Sequence, residues 1–192
     1  VEVYERYNCN RVVFIGDVID NHYSSYHETD ANGMGGGEEL ELAIQRLQRY
    51  YHRWPDAHVT VGNHDRIIMR KAQSGGVPKE WVKDYKEVLR TPNWKFVTDV
   101  EIDDVLYIHG EAGTAKTKAR SDMRSTVQGH LHTQAYTEYF VGANSRVFGC
   151  QVGCGIDAKS YAMAYMKVGK KPAIGCAVVL GGKTAVNELM VL

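Results

Sequence analysis

Apolar and polar positions alternate at two different periods along this chain. "RVVFIG", Arg11 to Gly16, is a continuous apolar run rich in β-branched residues, the pattern of a buried strand. From Glu38 to Trp54 the period changes. Leu40, Ala43, Ile44, Leu47, Tyr51 and Trp54 recur at helical spacing among Glu41, Gln45, Arg46, Gln48 and Arg49. Pro55-Asp56 ends that helix. "AHVTVG" predicts a second strand and "NHDRIIMRKAQ" a second helix. Pro78 suits the first turn of a third helix running to about Arg90. "VLYIHG" and "STVQGH" predict two more strands. From Ala135 onward the pattern is strand-like and rich in turns: "AYTEYFVG", "SRVFGCQVG", "YAMAYMKVG", "AIGCAVVLGG" and "TAVNELMVL".

Strand and helix thus alternate in the first half, and strands dominate the second. That combination predicts an α/β sandwich with sheets face to face in the middle and helices outside. The 192 residues suffice for one domain spanning 1–192. The glycine run Gly33–Gly37 lacks the Lys-Ser/Thr ending of a phosphate-cradling loop and reads as a loop before the first long helix.

Composition narrows the function. The 23 basic and 23 acidic residues cancel, which removes the simplest electrostatic case for nucleic acid or an anionic membrane. Two basic stretches, Lys116–Lys118–Arg120–Arg124 and Lys167–Lys170–Lys171, read as solvated surface. The four cysteines form no Cys-x-x-Cys pair, and Cys150 and Cys176 lie in apolar runs as small buried hydrophobes. A reducing, cytoplasmic setting without disulfides is expected. No apolar run approaches a membrane span.

The chemistry-bearing residues collect at predicted strand ends, where ligands of α/β sheets usually lie. Asp17 and Asp20 follow "VVFIG"; Asn63, His64 and Asp65 follow "VTVG". His109 follows "VLYI", and His130 and His132 follow "STVQ" in "GHLH". Carboxylate, imidazole and amide oxygen are donors for divalent cations, and one carboxylate can bridge two ions. Two ions about 3.5–4 Å apart can polarise a phosphoryl group and hold a bridging hydroxide. Each block has a plainer reading: Gly-Asp as a turn, a lone histidine as a satisfied polar residue, "GNHD" as a capped helix start.

In this order, "GDVID", "GNHD", "HG" and "GHLH" resemble the successive signature blocks of calcineurin-like metallophosphoesterases, from about Arg11 to His132. The overall look is similar to phage and environmental members. The resemblance implies a four-layer αββα sandwich and a metal-dependent hydrolase of phosphodiesters or phosphomonoesters, acting by a metal-bridged hydroxide. It implies two divalent ions, with Mn²⁺, Fe or Zn²⁺ suited to the donors. Asp17 would bridge them. Asn63, His109 and His130 would complete one shell, and His132 would bind the other ion. His64 would protonate the leaving oxygen, Asp65 would orient His64, and Asp20 would support the Asp17 loop. Arg66 and His22 are candidate substrate contacts, with His27 and Tyr26 in the same loop.

Two departures stand out. The family's earlier Asp-x-His block has no counterpart before Gly16, so one ligand set is depleted. An N-terminally truncated chain without its first strand, favoured by the Val1 start, competes with the loss of one metal site. Asn21 also stands where protein phosphatases of the superfamily carry arginine, which argues against phosphoprotein substrates. The expected partner is a small phosphoester such as a nucleotide, with an oligomer covering any exposed sheet edge. The alternatives are a catalytically impaired metal-binding homologue and a DNA nuclease. Intact "GNHD" favours the enzyme, and zero net charge disfavours the nuclease.

Overall fold

The computed structural model describes residues 1–26, 32–156 and 171–190. They fall into two compact units. One comprises residues 12–26 and 32–97; the other comprises residues 1–11, 98–156 and 171–190.

In the first unit three short parallel strands pair in the order β1-β2-β3: β1 (Val13–Phe14), β2 (His58–Thr60) and β3 (Lys95–Val97). Val13 stands opposite His58, and His58 opposite Lys95. The long helix is α2 (Gly36–Arg53). Its apolar stripe delivers Ile44 and Leu47 into a core with Ile19, Val59, Leu89 and Trp94, flanked by Phe14, Leu40, Ala43 and Tyr51. Trp94 is buried, and its indole N–H donates to the Trp54 carbonyl at 2.8 Å. The glycine run is not all loop, because α2 opens at Gly36. A Cβ there would meet the Tyr23 ring at 2.9 Å, so glycine lets the 22–24 turn pack on the helix start. The Glu39 carboxylate accepts the N–H groups of His22 and Tyr23 at 2.7 and 3.0 Å.

Two predicted helices differ from expectation. The segment after "VTVG" turns first, and α3 (Ile67–Ser74) starts only after it. The helix expected from Pro78 to Arg90 is instead a 3₁₀ turn, Lys79–Trp81, and a short α4 (Tyr85–Val88). Its apolar residues do not share a buried face: Trp81 is 82% exposed.

The second unit begins with α1 (Glu2–Arg6) and centres on a five-stranded sheet in the order β4-β5-β6-β8-β7. These are β4 (Asp99–Ile102), β5 (Val105–Ile108), β6 (Thr126–Gln128), β7 (Ala135–Val141) and β8 (Arg146–Val152). β5, β6 and β8 run parallel, with antiparallel β4 and β7 at the edges. The α5 helix (Ala115–Asp122) lies against β8, where a Cβ on Gly149 would sit 2.5 Å from the Lys116 Cα. β9 (Gly175–Leu180) and β10 (Thr184–Leu189) form a hairpin. The Asn187 side chain ties it to the sheet, donating to the Gln151 carbonyl at 2.8 Å.

The α/β class is as predicted. "YAMAYMKVG", His27, Lys167 and Lys170 lie outside the described residues. All four cysteines are free thiols, but Cys176 is exposed rather than buried because its strand belongs to the two-stranded hairpin. Lys116, Lys118 and Arg124 each pair with a carboxylate, Glu138, Asp122 and Glu101 respectively. Among the described residues no helix is long and apolar enough to cross a membrane.

Candidate metal centre

Gly16 and Asp17 take successive left-handed conformations, φ 75° and 49°, and turn the chain sharply beyond β1. Aspartate tolerates this region better than most residues. The turn brings Asp17 to the loop after β2. Its Oδ1 accepts the His64 N–H at 2.9 Å, and its own N–H donates to Asp65 Oδ2 at 2.8 Å. Gly62 permits that approach: a Cβ there would lie 2.1 Å from Asp17 Oδ1.

Asp65 is 2% exposed. Its carboxylate accepts N–H groups from Gly62 and Asp17 at 2.8 Å and from Ile19 at 3.4 Å. Burial pushes its carboxyl up to about 6, against the lowering pull of those donors. It therefore clamps the two loops together.

The carboxylate beside His64 is that of Asp20. His64 Nδ1 lies 2.8 Å from both the Asp20 carbonyl and Asp20 Oδ1. Asp20, rather than the expected Asp65, thus stands beside His64, and Asp65 instead accepts backbone N–H groups of the Asp17 loop. Side chains of consecutive residues in a turn diverge, so Asp65 points to the backbone donors and the Asp17 loop supplies the partner. Asn21, left-handed at φ 51°, donates from Nδ2 to the His64 carbonyl at 2.9 Å. The hydrogen bond to Asp20 raises His64 to about 9 against the opposing effect of burial, with the charge of Asp17 adding to the rise. Asn63 and Arg66 are half-buried, Arg66 at the N-cap of α3. His22 is only 5% exposed, so its burial gives no support to a substrate contact; its backbone serves the loop through Glu39.

A titration tests the Asp20–His64 pair. A histidine whose folded pKa is raised adds stability below its ordinary value near 6.5 and loses it as pH rises through the folded value. In the metal-free protein, NMR should place the His64 midpoint near 9. Asp20→Asn should move it down toward the ordinary value and flatten the fall in stability between neutral and alkaline pH. An unmoved midpoint would show that another group holds the proton.

The second unit positions its own cluster. His109 follows β5 and is 4% exposed; His130 follows β6 in a left-handed turn at φ 67°. Their rings meet edge to face, with His109 Nε2 3.2 Å from His130 Nδ1. Two donors each about 2.0–2.1 Å from one first-row ion stand roughly 3.0–3.4 Å apart, so this imidazole pair fits a metal. The same spacing suits a hydrogen bond between them. His132 is half-buried, and its carbonyl accepts the Ala173 N–H at 2.7 Å.

Two buried glutamines, absent from the sequence-based candidates, hold these loops. Gln128 and Gln151 stand opposite each other on β6 and β8. Gln128 Nε2 donates to the Gly113 carbonyl at 3.2 Å. Gln151 donates to the Gly129 carbonyl, next to His130, and accepts the Ala115 N–H at 3.1 Å. A polar residue in an otherwise apolar run, as in "VFGCQV", was the available signal.

No curated protein and no solved structure gives a significant match to the chain. The family model for calcineurin-like phosphoesterases matches residues 2–139, well over half of the chain and every strand-end block described above. The chain belongs to the calcineurin-like phosphoesterase family, whose general chemistry is metal-dependent hydrolysis of phosphoesters.

Proposed function

We propose that this chain hydrolyses small phosphodiesters or phosphomonoesters with divalent cations as cofactors, rather than phosphoproteins. In the family's motif pattern, Asp17, Asn63, His109 and His130 would hold one ion, and Asp17 with His132 a second. Mn²⁺, Fe or Zn²⁺ suits this mixture of oxygen and nitrogen donors. The bound ions would neutralise phosphoryl charge and lower the pKa of an attacking water.

The observation that carries the reading is the His64–Asp20 pair. With Nδ1 fixed on Asp20, the opposite ring nitrogen is the proton donor to a leaving oxygen. Asp20 keeps the imidazole charged and fixes its orientation. Asp65 maintains the loop geometry that places Asp17 and His64 side by side. Asn21 bonds to the His64 carbonyl, so the position that is arginine in protein phosphatases serves the loop here.

The test is hydrolysis of bis-p-nitrophenyl phosphate and of p-nitrophenyl phosphate, after chelation and again with added Mn²⁺. Turnover that needs the ion upholds the proposal, and the ratio of the two rates assigns diester or monoester preference. Metal binding without turnover of either ester would overturn it in favour of a retired, metal-binding homologue.

A further inference from the structure

We infer that Tyr26, Arg70 and Lys71 form a subsite for a second phosphate group of the substrate, beyond the one that is cleaved; the inference rests on the phosphoesterase reading above. Arg70 Cζ lies 5.5 Å and Lys71 Nζ 5.1 Å from the centre of the Tyr26 ring. Tyr26 is 58% exposed, and both cations are exposed.

The cluster is assembled from two segments that diverge from the His64–Asp20 pair and meet again. α3 begins directly after the Gly62–Asp65 turn, and Arg70 stands about 6 Å of helix rise beyond Arg66. Tyr26 follows the 17–24 segment, which Asn21 and Glu39 anchor to the His64 carbonyl and to α2.

Its charge is handled unlike that of six other basic side chains. Arg6, Lys83, Arg90, Lys116, Lys118 and Arg124 all lie against carboxylates. Among the described residues no carboxylate comes within ion-pair distance of Arg70 or Lys71. Two adjacent cations held over one ring repel each other, and an anion between them relieves that repulsion. The ring contributes cation–π attraction that limits their freedom before binding. A guanidinium can grip phosphate with two parallel hydrogen bonds while the ammonium adds a compact charge. Among the described residues, these two neighbouring cations form a local positive patch on a chain of zero net charge. The second phosphate would belong to a nucleic-acid strand or to a polyphosphate chain.

The test compares the wild type with the Arg70→Gln/Lys71→Gln double variant, both positions being on the surface. Three substrates are used: bis-p-nitrophenyl phosphate, which has no second phosphate, a dinucleoside tetraphosphate, and tetrathymidylate. KM for one or both of the latter two should rise about tenfold at low salt, with kcat unchanged and bis-p-nitrophenyl phosphate unaffected. A rise confined to tetrathymidylate assigns a nucleic-acid strand, and one confined to the tetraphosphate assigns a polyphosphate. Equal changes for all three substrates, or none, overturn the subsite. Affinities of fluorescein-labelled tetrathymidylate and of the tetraphosphate are measured in EDTA as well. If the wild type turns over no ester, the phosphoesterase reading fails alone. Weakened binding of either ligand by the double variant then upholds the anion site, and unchanged binding of both overturns it.

Discussion

Hydrolysis by His64→Ala is expected to fall about 10²–10⁴-fold in kcat, the range for removing a general acid. The size should depend on the leaving group. p-Nitrophenolate departs readily without a proton, so the nitrophenyl ester should lie at the low end. A diester with an alkyl leaving group needs the proton and should lie at the high end. The fold should tolerate the change, because the imidazole is half-buried and its described side-chain contact is the Asp20 carboxylate. Thermal unfolding of the variant, with Mn²⁺ affinity measured alongside, separates chemistry from structure. Retained fold and retained metal with a leaving-group-dependent loss assigns proton donation to His64. An equal loss for both leaving groups would restrict His64 to stabilising charge in the ground and transition states. Loss of metal would make it a ligand support instead.

The strand-end clusters were legible because each follows a predicted strand, and a glycine stands beside all four. The period-3.6 stripe likewise gave the buried face of α2. Other features had no local signal. β3 has three residues, too short for periodicity to separate it from loop. β4 alternates exposed and half-buried positions through Asp99 and Glu101, and α5 buries only Ala115 and Ala119. The partner of His64 was also hidden. Asp65 is its neighbour in sequence, whereas Asp20 arrives from a loop whose course depends on two consecutive left-handed residues. Pairing of that kind is a tertiary property. The segment after Pro78 misled in the other direction: proline suits a first helical turn, but the chain there makes only a 3₁₀ turn and one short helix. Nothing among the described residues buries Trp81.

Gly62→Ala is expected to do more damage than any exposed substitution near the site. A Cβ at this position would stand 2.1 Å from Asp17 Oδ1 and 2.6 Å from the Asp17 nitrogen. The nitrogen cannot retreat cheaply, since its N–H bonds to Asp65 Oδ2 at 2.8 Å. The Gly62 N–H bonds to that same oxygen, also at 2.8 Å. The two loops are thus fastened to one buried carboxylate, and a methyl group between them must break the clamp or expel the Asp17 carboxylate. Breaking it strands buried N–H donors, at about 1–3 kcal/mol each. A loss of roughly 2–4 kcal/mol in unfolding free energy is expected. Turnover should fall with it, because the displaced groups are a proposed metal ligand and the backbone that aligns His64. Gly37→Ala is the matched control. That position lies in the first turn of α2, and no atom stands within 4 Å of the added methyl. It should stabilise the protein by a few tenths to about 1 kcal/mol, since alanine orders more cheaply in a helix than glycine. Denaturant titration of both variants decides the matter. If Gly62→Ala unfolds at the wild-type midpoint and turns over at the wild-type rate, the close approach of the two loops does not hold the site together. If it is destabilised while Gly37→Ala gains, the contact between Gly62 and Asp17 is what fixes the candidate metal ligand in place.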